Sequence, residues 1–331
     1  MAILQNKAEV TTIPELINQE LPSYDPHDVN PPVRPGFRSQ FGGLWTDLNN
    51  ADAVLAGKVA IGAVSPSEAR LVNDFIQKGF VLLPRATDPN MIDRVLEDVE
   101  SIVDGKIPRK CSYWDSTGHH IEAANRANTL EKEAKILDMH EASQSAQQII
   151  FSPAISRFLN IIFERPALAF QSLGFLRGSQ QGVHRDTAFV RVSSSQEFVA
   201  SWIALEDIVP GSGELEYYVG SHALPDYLFS GGDRWVKPGN PEVDGFSEGL
   251  HAMARAAKLD FTQFRPKKGD VLIWAAELMH GGSHIENEKQ TRKSLVTHYC
   301  PVDQHPMYFY KGNQVKRPSV GGNYICAERW S

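Results

Sequence analysis

Two segments in the first third of the chain carry apolar residues at helical intervals. Residues 65–68 have the spacing of a capping box, the apolar positions within 71–76 share one face, and Gly79 stands where a C-terminal cap belongs. A second pattern of this kind runs over 88–105, opened by an Asp-Pro pair and closed by a glycine. The apolar run 80–84 between them fits a buried strand. These patterns predict a helix, a strand and a second helix.

Beyond residue 166 the pattern changes to short alternating or apolar runs, separated by turn-rich segments such as 210–213. This texture is typical of a β-sandwich or a jelly roll. We therefore expect a mainly β fold with flanking α-helices. The predicted strands cover 167–175, 189–192, 198–205, 213–219, 270–274 and 294–299.

The same patterns predict how the chain is organised. We expect a mostly irregular N-terminal arm over 1–64 and a single domain over 65–331. Within this domain, a helical part covers 65–165 and the jelly-roll core covers 166–302. A long excursion at 223–265 interrupts the predicted strands, and such an excursion is either a lid over a binding site or plain packing.

Composition narrows the classes of partner. The 331 residues are 42% hydrophobic and 22% charged, which suffices for a substantial core. Because the net charge is −7, no global basic surface exists, and neither nucleic acid nor a membrane is expected as a partner. Three cysteines without a CxxC spacing and a start without an apolar targeting stretch indicate a cytoplasmic protein. The oligomeric state has no signature in the sequence.

Three residues have the pattern of a metal site. In an extended segment side chains alternate, so His184 and Asp186 point to the same side and one metal can reach both. His280 follows the strand-like run 269–274 and precedes two glycines, a setting that suits a third ligand. Two imidazoles and one carboxylate leave three octahedral positions open, as in iron(II) oxygenases, whereas a structural zinc ion needs a closed shell. His184, Asp186 and His280 are therefore the predicted catalytic metal ligands.

A second feature follows at the head of the predicted strand 294–299. Arg292 and Ser294 share one face of this segment. A guanidinium fork binds both oxygens of a carboxylate, and a neighbouring hydroxyl donates a further hydrogen bond. We predict a receptor for a buried carboxylate, namely the distal end of 2-oxoglutarate. Taken by itself, Arg292 would more simply be a surface arginine in a charged turn.

Several motifs, in this order along the chain, resemble the phytanoyl-CoA dioxygenase family. The likeness covers roughly residues 75 to 300, and Val219 departs from it at a turn where the family usually has proline. The motifs are highly specific when taken together; they are Gln-Ser-Leu-Gly-Phe at 171–175, Gly-Ser-Gln-Gln-Gly-Val-His-Arg-Asp at 178–186, Ala-Ser-Trp-Ile-Ala-Leu-Glu-Asp at 200–207, Pro-Gly-Ser-Gly-Glu-Leu at 210–215, Gly-Ser-His at 220–222, Lys-Gly-Asp at 268–270, Trp274, and the segment from His280 to Ser294.

The resemblance implies a double-stranded β-helix (jelly-roll, cupin-like) core and a set of cofactors. Fe(II) would be the metal, with 2-oxoglutarate as co-substrate and O2 as the oxidant. Trp202 is similar to the tryptophan that borders the co-substrate in this family, and Gln171 to another co-substrate contact. The implied site residues are thus His184, Asp186 and His280 for the metal, and Arg292, Ser294, Trp202 and Gln171 for 2-oxoglutarate.

The expected activity is hydroxylation of an unactivated C–H bond in a small-molecule or acyl substrate, with 2-oxoglutarate decarboxylated to succinate and CO2. Asp186 favours this outcome, because related halogenases have alanine or glycine at that ligand position. Desaturation and ring formation begin from the same oxidant and stay open. Two other classes also stay open, a zinc-dependent cupin-like hydrolase or isomerase and a non-catalytic relative of the family.

Overall fold

The computed structural model describes residues 35–106, 111–115, 117–120, 123–131, 133–193, 196–237, 239–307 and 317–327. The part of the predicted N-terminal arm over 1–34 lies outside these residues. The α-helices in the described part are α1 (Ala51–Ala60), α2 (Pro66–Lys78), α3 (Pro89–Val103), α4 (Met139–Ala142), α5 (Gln144–Ile150), α6 (Pro153–Phe163) and α7 (Phe246–Ala256). Among these, no helix is long and apolar enough to cross a membrane.

The strands of the described residues form two sheets that face each other. They are β1 (Phe80–Leu83), β2 (Tyr113–Asp115), β3 (Gly118–His120), β4 (Lys135–Leu137), β5 (Ala167–Phe175), β6 (Val199–Ala204), β7 (Leu215–Tyr218), β8 (Phe261–Phe264), β9 (Val271–Ala275), β10 (His280–Gly282), β11 (Ser294–Pro301), β12 (Ser319–Val320) and β13 (Asn323–Ile325). The predicted mainly β fold with flanking helices is confirmed.

The large sheet has the order β1-β9-β6-β11-β5-β4-β2-β3, and β13 adds to β5 in parallel. The small sheet has the order β10-β7-β8. Strand β11 is central because it pairs antiparallel with both β5 and β6, so that Ser294 lies opposite Phe175 on one side and Ala204 on the other. This register decides which residues meet inside the fold.

The helix, strand and helix predicted near the start of the domain are confirmed as α2, β1 and α3. The side chain of Ser65 accepts a hydrogen bond from the backbone of Glu68, and the Glu68 carboxylate accepts one from Ser65 N–H at 2.8 Å. Gly79 ends α2 in the left-handed conformation with φ of 81°. The capping box and the glycine cap therefore delimit this helix as expected.

Two segments differ from the sequence-based expectation. Helix α1 lies within the arm that was expected to be mostly irregular, and its buried Ala51 and Leu55 belong to the same apolar cluster as Phe75 of α2. Packing of this kind stabilises a short helix whose own pattern is weak. The predicted strand at 189–192 is wrong, because the short 3-10 helix Asp186–Ala188 leads into a turn there, in which Val190 N–H bonds back to the Asp186 carbonyl.

Alternate residues of the large sheet serve two different cores. In β6, Val199 and Ile203 pack in the cluster that the helices cover, whereas Trp202 and its even-numbered neighbours face the small sheet. Leu272 and Tyr217 contribute to this second cluster from β9 and β7. The space between the sheets is the interior of the jelly roll, and the candidate site lies there.

The excursion over 223–265 contributes to both sheet and core. Its last part, β8, pairs with β7 in the small sheet. Helix α7 buries Phe246 and Leu250 in a cluster with Val183 and Met279, which flank the candidate ligands in sequence. The excursion therefore packs directly behind the segments that carry the site.

We predict opposite effects for alanine at two glycines. At Gly79 the backbone is left-handed and a Cβ would lie 2.5 Å from Nδ1 of His222, so Gly79→Ala should lower the free energy of unfolding by about 2 kcal/mol. Gly57 lies in α1, and apart from its chain neighbours and the helix backbone no heavy atom lies within 4 Å of such a Cβ, so Gly57→Ala should raise the free energy of unfolding by about 1 kcal/mol. Urea denaturation measures both, and equal changes in the two variants would contradict the assignment.

Candidate metal centre

Backbone hydrogen bonds join the two histidines predicted as ligands. The His184 N–H donates to the His280 carbonyl at 2.8 Å, and the His280 N–H donates to the His184 carbonyl at 3.0 Å. The two residues form an isolated antiparallel bridge, while His280 also begins β10 opposite Tyr217. Directly opposed residues in an antiparallel pair present their side chains on one face. The bridge therefore brings the two imidazoles together.

The glycine pair after His280 permits this close approach. A Cβ at Gly281 would lie 2.9 Å from the Gln181 carbonyl oxygen, and a Cβ at Gly282 would lie 2.7 Å from Oγ of Ser179. Both distances are too short for a real side chain. The segment that ends in His184 can thus lie directly against 281–282 because neither residue has a side chain.

The tautomers of both imidazoles follow from their backbone contacts. Nδ1 of His184 lies 2.9 Å from the Gly182 carbonyl, and Nδ1 of His280 lies 2.9 Å from the Leu278 carbonyl. Since a carbonyl oxygen only accepts, each Nδ1 must carry the proton and each Nε2 keeps a free lone pair. Both side chains are therefore oriented as metal ligands through Nε2.

Asp186 completes a cluster that could hold one metal ion. Its Oδ1 lies 3.7 Å from Nε2 of His184 and 3.6 Å from Nε2 of His280. The ligand atoms of the three residues all lie within 4.8 Å of one another, and each side chain is largely buried. Because Arg185 between His184 and Asp186 is extended, both side chains point to the same side, as the i, i+2 spacing predicted.

The charges of this cluster suit metal binding at neutral pH. Burial lowers the pKa of His184 to about 3, with a further contribution from His280, so its imidazole is neutral. Burial raises the pKa of Asp186. The surrounding His280, His298 and His184 lower it by a larger amount, so the pKa of Asp186 lies below its usual value. A neutral imidazole at His184 and an ionised Asp186 are protonation states that a divalent metal requires of its ligands.

Arg292 is a buried cation, and no carboxylate of the described residues is in contact with it. It is 2% exposed, and its guanidinium carbon lies 5.1 Å from the Phe175 ring centroid and 5.6 Å from that of Trp202. Among the residues that the structure describes, its contacts are these rings and a long hydrogen bond of 3.4 Å to the Arg177 carbonyl. Burial lowers its pKa to about 10, although Glu214 and Glu206 oppose the shift, so it stays protonated at neutral pH.

The polar atoms around this guanidinium also lack partners. Oγ of Ser294, Nε1 of Trp202 and Nε of Arg292 are buried and have no hydrogen-bond partner among the described residues. A buried donor without a partner costs about 1–3 kcal/mol. Three such donors in one interior region are explained by an anionic ligand that accepts hydrogen bonds from them. The expected grouping of Arg292 with Ser294 and Trp202 is thus present in the structure.

Gln171 lies further along the same interior. It is half-buried on β5 directly opposite His298 of β11. Because directly paired residues of an antiparallel ladder share a face, Gln171 and His298 point to the same side of the sheet. Nε2 of His298 lies 3.6 Å from Oδ2 of Asp186. This register places Gln171 on the metal-facing surface.

The side chain between the two ligands points the other way, toward the excursion. Arg185 is 2% exposed and donates to the Pro225 carbonyl at 2.9 Å and to the Ser221 carbonyl at 3.3 Å. Nη1 of Arg185 lies 3.0 Å from one oxygen of Glu277, and Arg234 donates to the other oxygen at 3.0 Å. The buried charges therefore attach the start of the excursion to the metal-binding segment.

Sequence reasoning gave no role at the metal to Lys135, Trp274 and His298, which lie near the cluster together with Gln181. Gln181 lies with Nε2 at 3.5 Å from the metal-facing Nε2 of His184. Lys135 is half-buried, burial lowers its pKa to about 8, and its charge acts on both His184 and Asp186. Trp274 and His298 contact Asp186 directly. Lys135 is in a charged stretch that looks like solvated surface, so its sequence context carried no signal of this position.

Comparisons with known proteins agree with this arrangement. A family model described as phytanoyl-CoA dioxygenase (PhyH) matches residues 75–294. Among curated proteins, none gives a significant sequence match to this chain.

Solved structures are similar in fold at low sequence identity. The epimerase SnoN in complex with Fe3+, alpha ketoglutarate and nogalamycin RO is 17% identical, with a TM-score of 0.55 over 78% of this chain and 98% of that chain. The carbocyclase SnoK from nogalamycin biosynthesis is 15% identical, with a TM-score of 0.51 over 70% and 83%. The non-heme monooxygenase ThoJ, in its apo form, is 16% identical, with a TM-score of 0.51 over 78% and 87%. This likeness shows the double-stranded β-helix fold.

We predict that Glu277 is critical for stability, because it compensates two buried arginines. Glu277→Gln should lower the free energy of unfolding by about 3 kcal/mol. Burial raises the pKa of Glu277. Arg185 and Arg234 lower it by a larger amount, so the pKa of Glu277 lies below its ordinary value of 4.5. Its contribution is therefore present above pH 4.5 and is lost as the pH falls. Denaturation at pH 7 and pH 4 measures this, and the loss at low pH should be smaller in the variant.

The control is Glu248→Gln. Glu248 and Arg255 are both largely exposed and lie 3.8 Å apart, so this variant should change the free energy of unfolding by less than about 1 kcal/mol. Equal effects of the two substitutions would refute the role given to Glu277.

Proposed function

This chain belongs to the phytanoyl-CoA dioxygenase family, and on that basis we propose that it is an Fe(II)- and 2-oxoglutarate-dependent dioxygenase. Its proposed reaction is hydroxylation of an unactivated C–H bond in a small-molecule or acyl substrate. The observation that carries the proposal is the pairing, inside one jelly roll, of three clustered metal-ligand residues with a buried arginine that no carboxylate of the described residues contacts.

The donor set supports iron(II) as the metal. His184, Asp186 and His280 would be the ligands, supplying two nitrogens and one oxygen on one side of the ion. Such a set leaves three positions open, which suits a metal that must bind a bidentate co-substrate and O2. A closed structural zinc site would need a fourth protein ligand, and the metal cluster found among the described residues has three.

The pocket around Arg292 supports a dicarboxylate co-substrate. Its guanidinium and the hydroxyl of Ser294 would bind the distal carboxylate of 2-oxoglutarate, with the indole N–H of Trp202 as a further donor. A protonated arginine buried between Phe175 and Trp202 is costly when unpaired, and an anionic ligand removes that cost. A zinc-dependent hydrolase or isomerase would not need this pocket.

When bound, iron and 2-oxoglutarate would supply the oxidising chemistry, in which O2 is consumed and 2-oxoglutarate is converted to succinate and CO2. The residues of this chain hold and orient the reactants. His184 and His280 present their Nε2 atoms because their Nδ1 protons bond backbone carbonyls. Gln171 would contact the co-substrate from β5.

The accessible side of the cluster supports a small-molecule substrate. Phe189 is 41% exposed, and its ring centroid lies 5.7 Å from that of His184. The amide of Gln181 lies beside the metal-facing nitrogen of the same histidine. An apolar ring and a hydrogen-bonding amide next to the reacting centre would select and orient a substrate.

Hydroxylation is the proposed outcome among those that this chemistry allows. SnoN is an epimerase and SnoK a carbocyclase, so proteins of this fold differ in the fate of the oxidised substrate. In this chain Asp186 is a carboxylate and the metal cluster is complete. Return of oxygen to the substrate is the outcome that needs no further group on the protein. Product analysis with isotopically labelled O2 tests this part of the proposal.

We predict that the metal ligands are indispensable for metal and co-substrate binding. His184→Ala and Asp186→Ala should each abolish the weak visible absorption band that Fe(II) and 2-oxoglutarate give together under anaerobic conditions, and should abolish 2-oxoglutarate decarboxylation. His284→Ala is the control, because His284 is exposed and lies outside the cluster. Substantial turnover by either ligand variant would refute the ligand assignment, and the lack of a band in the wild type would refute the proposed function.

We predict that Arg292→Ala weakens 2-oxoglutarate binding by about 100-fold with little change in metal affinity. The distal carboxylate would lose its ionic partner, a loss of ~3 kcal/mol. The measurement is the apparent 2-oxoglutarate dissociation constant, from titration of the Fe(II)-loaded protein. Arg255→Ala, which removes an exposed arginine of α7, should leave this constant unchanged. An unchanged value in Arg292→Ala would remove Arg292 from the site.

A further inference from the structure

One oxygen of Asp186 is held by a tryptophan. The Nε1–H of Trp274 donates to Oδ2 of Asp186 at 2.9 Å, and both side chains are buried. The other oxygen, Oδ1, faces the Nε2 atoms of His184 and His280. The two oxygens of this carboxylate are therefore in different surroundings, one turned to the metal cluster and one to the indole.

His298 stands on the same side as the indole. It is 3% exposed, and neither of its ring nitrogens has a hydrogen-bond partner in the part of the chain that the structure describes. The rings of Phe170 and Phe198 lie 5.9 and 6.3 Å away, so its surroundings are largely apolar. The close polar atom is Oδ2 of Asp186, at 3.6 Å from Nε2, which is about 0.5 Å longer than a normal hydrogen bond.

A merely structural role does not explain this histidine. A buried imidazole between two phenylalanines costs free energy unless it makes a hydrogen bond, and leucine would fill the position more favourably. Neutral imidazole always carries one N–H, so His298 can donate to Oδ2 without any change of protonation. A small rotation of either ring or carboxylate brings the two atoms to hydrogen-bond distance.

We propose that Trp274 and His298 are positioning residues that together bind Oδ2 of Asp186, so that only Oδ1 binds the metal. This inference rests on the proposed metal site. A carboxylate that binds through both oxygens would occupy one of the three positions left open by the ligand set. Two donors on Oδ2 prevent this, and they keep a position free for the co-substrate or O2. Hydrogen-bond partners of metal ligands typically change metal affinity by about 10–100-fold.

The test measures metal binding rather than turnover. Mn(II) dissociation constants are determined by electron paramagnetic resonance for the wild type and for Trp274→Phe, His298→Leu and His298→Gln. Trp274→Phe keeps an aromatic ring near His280, whose ring centroid is 4.9 Å from that of Trp274, and removes the N–H donor. Trp274→Phe and His298→Leu should each weaken Mn(II) binding by about 10-fold or more, and His298→Gln should restore most of the affinity because glutamine keeps an N–H donor.

Two further readouts separate this role from a structural one. The visible spectrum of the Co(II)-loaded protein should change in Trp274→Phe and His298→Leu, because it depends on how many oxygens bind the metal. Thermal unfolding of metal-free His298→Leu should be unchanged or shifted upward, since the new side chain fits the apolar surroundings. Tyr299→Phe is the control, because its hydroxyl bonds Ser201 and the Ile150 carbonyl on the other face of β11 and should not affect metal binding.

The outcomes are distinguishable from failure of the proposed function. If the wild type does not bind Mn(II) or Co(II), the metal site itself is refuted and this inference with it. If the wild type binds and both folded variants, Trp274→Phe and His298→Leu, keep its affinity and spectrum, only the positioning role is refuted. If His298→Leu weakens binding and His298→Gln does not restore it, donation by His298 is refuted and Trp274 alone holds Oδ2.

Discussion

The backbone bridge between His184 and His280 is the interaction on which the candidate site depends. It joins the segment that follows β5 of the large sheet to the first residue of β10, which belongs to the small sheet. Because each backbone N–H donates to the carbonyl of the other residue, the two backbone segments cannot shift relative to each other without breaking this pair. Gly281 and Gly282 make the approach possible. Backbone pairing thus brings the two histidine ligands together, and the Asp186 side chain adds the third ligand.

Arg185, Arg234 and Arg292 are buried in the interior, and each has either an observed or a proposed anionic partner. Arg185 and Arg234 are compensated by Glu277, which lies between them. Arg292 has no carboxylate in contact in the part of the chain that the structure describes, and burial lowers its pKa to about 10 without removing its charge at neutral pH. Glu277 with its two arginines is therefore a structural ion cluster, whereas the surroundings of Arg292 are a binding pocket. Only at Arg292 would an incoming anion offset the cost of a buried charge. The same ion cluster fixes the start of the 223–265 excursion, because Arg185 donates a hydrogen bond to the Pro225 carbonyl.

Alternation along the strands assigns these roles. In β11, Ser294 and His298 face the interior with Asp186, while Tyr299 turns to the helical core and bonds Ser201. Trp202 and Trp274 come from neighbouring strands of the same sheet. The indole N–H of Trp274 donates to Asp186, and the indole N–H of Trp202 is proposed to donate to the distal carboxylate of 2-oxoglutarate. The same sheet face therefore serves both ends of the proposed co-substrate and the metal.

The sequence by itself determined the local features. It predicted α2 with its caps, the ligand pair His184 and Asp186 on one side of an extended segment, and the shared face of Arg292 and Ser294, because each depends only on residues a few positions apart. Only the tertiary structure decided which distant residues meet. Trp274 reaches Asp186 across 88 positions, and His298, one of eleven histidines, lies beside it because of the β11 register. The error at 189–192 has the same origin, since alternation there resembles a strand while the turn at Asp186 excludes one. Sheet register and close backbone approach are set by the whole core, and no short stretch of sequence encodes them.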